Sequence, residues 1–379
     1  MSNIAWPEKY FASFPVVYAV GNEYQIMVST TNKEETILRC QVGEREFFDH
    51  SNGIVRSKGH SHKIRIPMEL LDQEGKYTLI VQALPERLPY FTKPGPEERY
   101  EFPFRPVRKE KEDLHFYLLS DSHDDTVSSV NAALAAGPLD FLILNGDIHS
   151  HSGDPALFAA IHIIAGNITK GEIPTVYVRG NHDLRGAYAE LLTENTPNRY
   201  GYSYFTFRLG PIWGLALDCG EDKRESHEAY GGTNCCHVFR REETEFIKEV
   251  IRKKESEYLA EGVKYRLVVC HVTFSEAHKE PFDIEYDTYR EWCSLIRENI
   301  KPLAFLHGHE HKEYINYPGS ERDFLHAGCP CIVGGIPRGA ETSYRGVDLV
   351  LTPSSLAVRF SDDLGNAPEK EIVPLTPQA

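Results

Sequence analysis

Between residues 114 and 360, short apolar runs alternate with helix-like segments, and five of those runs stop in a knot of histidine, carboxylate or glycine. "HFYLLS" leads into Asp121-Ser122-His123, "FLILN" into Gly146-Asp147, and "TVYVR" into Gly180-Asn181-His182-Asp183. Farther on, "LVVC" leads into His271, and "LAFLH" into Gly308-His309-Glu310-His311. Such runs are strand-length. With helical stretches between them, as at 125–137, 155–166 and near 241–258, they describe an α/β domain with a mostly parallel sheet. Strands of one parallel sheet end on the same side, and open α/β folds bind ligands at that carboxyl edge. Clusters as distant in sequence as 121 and 309 are therefore expected to meet in space. Glycines before Asp147, Asn181 and His309 are expected to let the chain turn sharply there.

Each cluster alone has an ordinary explanation. An Asp-x-His is usually a turn or cap, a Gly-Asp a strand exit, and a single strand-end histidine such as His271 a hydrogen-bonded core residue. Their joint order and placement point instead to a metal site, since His, Asp and Asn are the ligands such sites use. In "FLHGHEHKEY" three imidazoles, His307, His309 and His311, fall within five positions, which a solvated turn, a chance cluster or part of a metal site would each explain.

The N-terminal part has a different grammar. Runs at 23–30, 36–42, 62–68, 76–83 and 99–104 are β-branched or aromatic, partly alternating, and separated by turn-rich pieces. They predict a small β-sandwich of immunoglobulin or fibronectin type over 1–112, ending in the charged linker "RPVRKEKED", with a catalytic domain over 113–379. A chain of 379 residues exceeds one comfortable core, which agrees with two domains.

The net charge of −15, from 41 basic and 56 acidic residues, argues against nucleic acid or an anionic membrane as the main partner. No apolar stretch reaches the roughly 18 residues of a membrane span, and "MSNIAWPEKYFASF" does not read as a signal peptide, so a cytoplasmic location is expected. Eight cysteines do not form a disulfide framework. Cys235-Cys236-His237 and Cys329-x-Cys331 hint at zinc but lack paired CxxC spacing.

Taken in order, D-x-H, G-D, G-N-H-D, H and G-H-x-H resemble the calcineurin-like metallophosphoesterase superfamily over residues 114 to about 360. The resemblance implies a four-layer αββα fold with two mixed sheets face to face. It also implies a dinuclear centre. One ion would take Asp121, His123 and His311, the other Asn181, His271 and His309, and Asp147 would bridge both. His182 would stand beside the substrate, and Asp183 would orient His182 or cap the following helix. Arg179, Arg185 and His149 are candidates for contact with the substrate, and His151 for the surroundings of the site. Two such ions, manganese, iron or zinc, would hold a bridging hydroxide that attacks the phosphorus of a small phosphorylated substrate, a mono- or diester.

A non-catalytic scaffold of the same fold and a nuclease are the alternatives. All the implied ligands and His182 are present, which favours an enzyme over the first, and the acidic balance disfavours the second. Purple acid phosphatases also join an N-terminal sandwich to such a domain. Their iron-ligating tyrosine would fall at Ser150, however, and His123 is not part of their pattern. "ALDCGEDK" (216–223) also looks like a strand-end loop of bacterial members of that superfamily, and segments 221–238 and 273–292 are expected to shape the pocket.

Overall fold

Two mixed sheets face each other and share their inner side chains in the computed structural model, which describes residues 6–368 and 371–375. Residues 1–5, the head of the stretch expected to lack a signal peptide, lie outside the described residues. The first sheet has nine strands, in the order Glu371–Pro374, Ser355–Asp362, Arg345–Leu351, Leu114–Leu119, Phe141–Asn145, Pro174–Val178, Val16–Val20, Glu23–Ser29 and Ser61–Pro67. The second has six, in the order Phe205–Leu209, Ile212–Leu217, Tyr265–Cys270, Ala304–His307, Cys331–Val333 and Tyr314–Asn316.

The twofold periodicity of a strand explains the layers. Phe141 and Ile143 point into the core between the sheets, where they meet Leu267, Val269 and Leu306 of the opposite sheet. Their neighbours Leu142 and Leu144 point outward and pack with Ile161 and Ile164 of the helix Pro155–Thr169. On the far side Leu215, Leu217 and Val268 are covered by Ile247 of the helix Cys236–Arg252 and by Trp292 of the helix Tyr286–Leu295. This is the αββα arrangement that the motif order implies. Each fully buried aromatic or aliphatic side chain contributes about 1.5–3 kcal/mol to holding the layers together.

The β-rich N-terminal residues form two layers. One is a separate sheet of Arg45–Phe48, Thr36–Val42, Lys76–Ala83 and Glu98–Pro103. The other consists of Val16–Val20, Glu23–Ser29 and Ser61–Pro67, and it extends the nine-stranded sheet itself. Val17 and Tyr18 pair in parallel with Pro174 and Thr175. The strand Val16–Val20 is buried along its whole length, the mark of an interior strand rather than the edge of a free-standing domain. Among the described residues no helix is long and apolar enough to cross a membrane.

Candidate metal centre

Three of the five clusters leave the nine-stranded sheet and two leave the six-stranded one, so they converge across the gap between sheets rather than along a single edge. Hydrogen bonds tie the two edges together. Asn145 Nδ2 donates to the carbonyls of Cys270 and Leu306, and His271 Nδ1 donates to the Asn145 carbonyl at 2.7 Å. Gly308 N in turn donates to the His271 carbonyl.

The turns are tight and strained. Asp121, His123, Asp147, His309 and His311 all have positive φ, a region that costs a non-glycine residue about 1–3 kcal/mol. The preceding glycines contribute in two different ways. Gly146 turns at φ +76. Gly180 and Gly308 do not use positive φ; they are needed for close approach. A Cβ on Gly180 would lie 2.2 Å from Asp147 Oδ1, and one on Gly308 would lie 2.7 Å from Asp121 Oδ2. The expected sharp turn is thus a backbone freedom at Gly146, where a Cβ would also meet Gly180 at 2.6 Å, and a packing requirement alone at the other two.

Asp121, His123 and His311 offer ligand atoms within 4.8 Å of one another, as do Asp147, His271 and His309. His309 Nδ1 lies 3.1 Å from Asn181 Oδ1, which brings the amide to the second group. Asp121 Oδ1 stands 3.4 Å from His311 Nε2 and 3.8 Å from His271 Nε2, and Asp147 Oδ2 stands 3.2 Å from His271 Nε2. A third group joins His123, Asp147 and His182. Asp121, Asp147, Asn181 and His271 are buried, whereas the His182 and His311 side chains are 35% and 46% exposed. The site therefore opens on the side of those two histidines.

The donors present fit divalent cations. Asp121 Oδ1 and His271 Nε2 are buried without a hydrogen-bond partner, a costly state that a bound cation would relieve. The Nε2 atoms of His123 and His311 face each other at 3.3 Å, where two lone pairs would repel. Burial disfavours charging His271, but Asp147 and Asp121 outweigh it and push its pKa up to about 10. Burial would likewise raise the Asp147 carboxyl; the imidazoles around it, His271 first, hold it below the usual carboxylate range. The buried carboxylates favour a positive charge at this place, which a bound cation would supply. His307, by contrast, is fully buried, donates Nδ1–H to the Cys270 carbonyl and packs against Phe274 and Phe305. Burial lowers its pKa to about 4.

A match to the calcineurin-like phosphoesterase family covers residues 113–313, a span that holds all five clusters. The chain belongs to that family. No curated protein matches it. Among solved structures, the purple acid phosphatase PPD1 from yellow lupin (Lupinus luteus) seeds superposes with a TM-score of 0.62 at 13% identity, over 96% of this chain and 75% of that one. At that identity the likeness is one of fold, and it includes the N-terminal β layers. A predicted phosphoesterase from Streptococcus pneumoniae TIGR4 has 13% identity and a TM-score of 0.34, over 70% of this chain and 99% of that one. Vacuolar Protein Sorting 29 from Cryptosporidium parvum has 10% identity and a TM-score of 0.36, over 70% and 100%.

Around the phosphoesterase site, several sequence-based expectations change. Asp183 neither touches the His182 side chain nor caps a helix with its own. Its carboxylate accepts from Tyr177 OH and Gly180 N, both at 2.8 Å, and lies 3.2 Å from His149 Nδ1. His149 is fully buried, with Nε2 on Ser152 Oγ, so it is withdrawn from the substrate and braces the loop after Asp147. Arg179 turns to Asp218 at 2.6 Å with its guanidinium over Phe239, away from the ligands. Arg185 is the candidate that reaches the site. Glu221 grips it at 2.9 and 2.8 Å, and its Nη1 stands 2.9 Å from His182 Nε2. His151 is exposed and accepts from Gly153 N. Neither cysteine pair joins a three-ligand group among the described residues.

Sequence reasoning missed Glu221, Asp222 and the Ser150 carbonyl. The first two fall in "ALDCGEDK" and in the segment 221–238 expected to shape the pocket, but neither was singled out as a residue. The Ser150 carbonyl, which accepts from His182 Nδ1 at 3.1 Å, is backbone and leaves no trace in residue type.

Proposed function

We propose that this phosphoesterase hydrolyses a small phosphomonoester or phosphodiester with two divalent ions. Asp121, His123 and His311 would hold one, Asn181, His271 and His309 the other, and Asp147 would bridge them. The observation that carries the reading is the pair of buried polar atoms without hydrogen-bond partners, Asp121 Oδ1 and His271 Nε2, 3.8 Å apart amid further ligand atoms. A donor set of imidazole, carboxylate and amide oxygen suits manganese, iron or zinc better than calcium. When bound, a pair of such ions makes hydroxide available at neutral pH and offsets the negative charge that grows on the phosphoryl oxygens.

The remaining work falls to the protein. His182 Nδ1 is held by the Ser150 carbonyl, which turns Nε2 toward Asp147 Oδ2 at 3.9 Å and toward the open side of the site. From there Nε2 stabilises the transition state or delivers a proton to the leaving oxygen. Arg185, clamped by Glu221, offers its Nη1–H to a phosphoryl oxygen in place of His182.

Metal analysis after saturation with manganese tests the reading together with a panel of phosphomonoesters, phosphodiesters and nucleotides. Two ions per chain and manganese-dependent turnover are expected. One ion or none under excess manganese refutes the dinuclear site.

Colour supplies a separate check. At position 150, where the purple acid phosphatase pattern has a ligating tyrosine, this chain places a serine whose carbonyl serves His182. Without a phenolate, ferric iron loses both its stabiliser and its charge-transfer partner. Protein reconstituted with iron is expected to show no intense visible band and to work near neutral pH with divalent metal. A purple, acid-optimal enzyme would contradict this.

A further inference from the structure

Of the histidines proposed as ligands to the second ion, His271 is backed by a main-chain carbonyl through its Nδ1. His309 is arranged the other way round. Its Nδ1 faces Asn181 Oδ1 at 3.1 Å, and its Nε2 faces Asp222 Oδ2 at 3.9 Å. We infer that Asp222 is a positioning residue that fixes the ring and tautomer of His309, so that Nδ1 is presented to the metal. The inference rests on the reading of His309 as a ligand.

The carboxylate is built for that task. Asp222 is 8% exposed, and both of its hydrogen bonds fall on Oδ1, from Lys223 Nζ and Tyr230 OH, each at 2.7 Å. Arg185 Nη2 adds a second positive group beside the same oxygen, at 3.5 Å. Lys223 is itself seated over the Phe282 ring. Two hydrogen bonds and an ion pair thus hold Oδ1 independently of His309, and the second oxygen faces the imidazole. A metal on Nδ1 requires the ring proton to sit on Nε2 and makes that N–H a stronger donor. The 3.9 Å contact then has reason to close to a hydrogen bond that raises the basicity of Nδ1. The segment that was expected only to line the pocket is, on this reading, part of the support of the metal site.

Manganese binding to the full-length, metal-stripped protein tests this by calorimetric titration of wild type, Asp222→Asn, Asp222→Ala, His309→Ala and the Asp222→Ala/His309→Ala double variant. Wild type is expected to take two ions. Asp222→Ala should weaken one of them by about 10–100-fold, the range for loss of a partner that orients a ligand, and leave the other unchanged. Asp222→Asn, which keeps the shape and an acceptor, should fall between the two. In the His309→Ala background, removing Asp222 should cost nothing further at the remaining site. The proposal is overturned if Asp222→Ala binds both ions like wild type. It is also overturned if the loss is as large without His309, because the loop would then act structurally. Fewer than two ions on wild type would instead defeat the dinuclear reading itself.

Discussion

The Asp147→Ala protein is expected to lose turnover and metal together. Asp147 is the residue that both three-ligand groups beside His182 and His271 share, and its Oδ2 lies 3.2 Å from His271 Nε2 and 3.9 Å from His182 Nε2. Removing it deletes the proposed bridge and one of the two carboxylates, with Asp121, among the proposed ligands. The loss in affinity should exceed the ~10–100-fold typical of a residue that only orients a ligand. Stability gives a readout independent of turnover. Wild type at a manganese concentration 100 times the dissociation constant should gain about 2.7 kcal/mol per site, and the variant should show little of that gain. Asp147→Asn separates charge from shape, since its amide oxygen can still accept from His182 N, as Asp147 Oδ1 does at 2.9 Å. Thermal melts with and without manganese, beside metal counting, check both variants. Two tightly bound ions in Asp147→Ala would remove Asp147 from the bridge.

Much of the fold was legible because its strands are buried on both sides. "FLILN", "TVYVR" and "LVVC" are apolar along most of their length, as interior strands between a core and a helical layer are, and each appears where its pattern places it. Legibility failed where pairing, not composition, decides. "VVYAV" is as apolar as any of these, yet nothing in its residues says that Val17 will pair in parallel with Pro174, 157 positions away. The three-residue strand Cys331–Val333 carries too few residues to show a period. The helix near 241–258 begins earlier, at Cys236, and ends at Arg252, because "RKKESEYLAEG" continues its charge pattern into turns.

The site divides in the same way. Side chains that bear the chemistry are visible as residue types at strand ends, and the structure brings Asp121, His123, Asp147, Asn181, His271, His309 and His311 to one place. The groups that set their orientation are less visible. Asn145 and Ser150 act through carbonyls, and Asp222 through a loop whose position depends on Tyr230 and Lys223. Asp183 shows the converse error. Its neighbour in sequence is His182, but the turn His182–Leu184 sends its carboxylate to Tyr177 and Gly180, so adjacency along the chain did not become contact.

His182→Ala is expected to keep two ions and lose about 10²–10⁴-fold in turnover, the usual contribution of a general acid or base. The metals should survive because the backbone bond from residue 182 to Asp147 Oδ1 does not need the imidazole, and the six other ligands are untouched. Leaving-group dependence distinguishes its possible roles. If Nε2 delivers a proton to the leaving oxygen, an aryl phosphate with an acidic phenol needs that proton least and should lose far less than an alkyl phosphate. If Nε2 only stabilises the phosphoryl oxygens, both substrates should fall alike. His182 Nε2 also forms a three-ligand group with His123 and Asp147, so a third outcome is informative. Loss of an ion from the variant would make His182 a ligand, and an aryl phosphate turned over at the parent rate with both ions in place would remove it from the reaction.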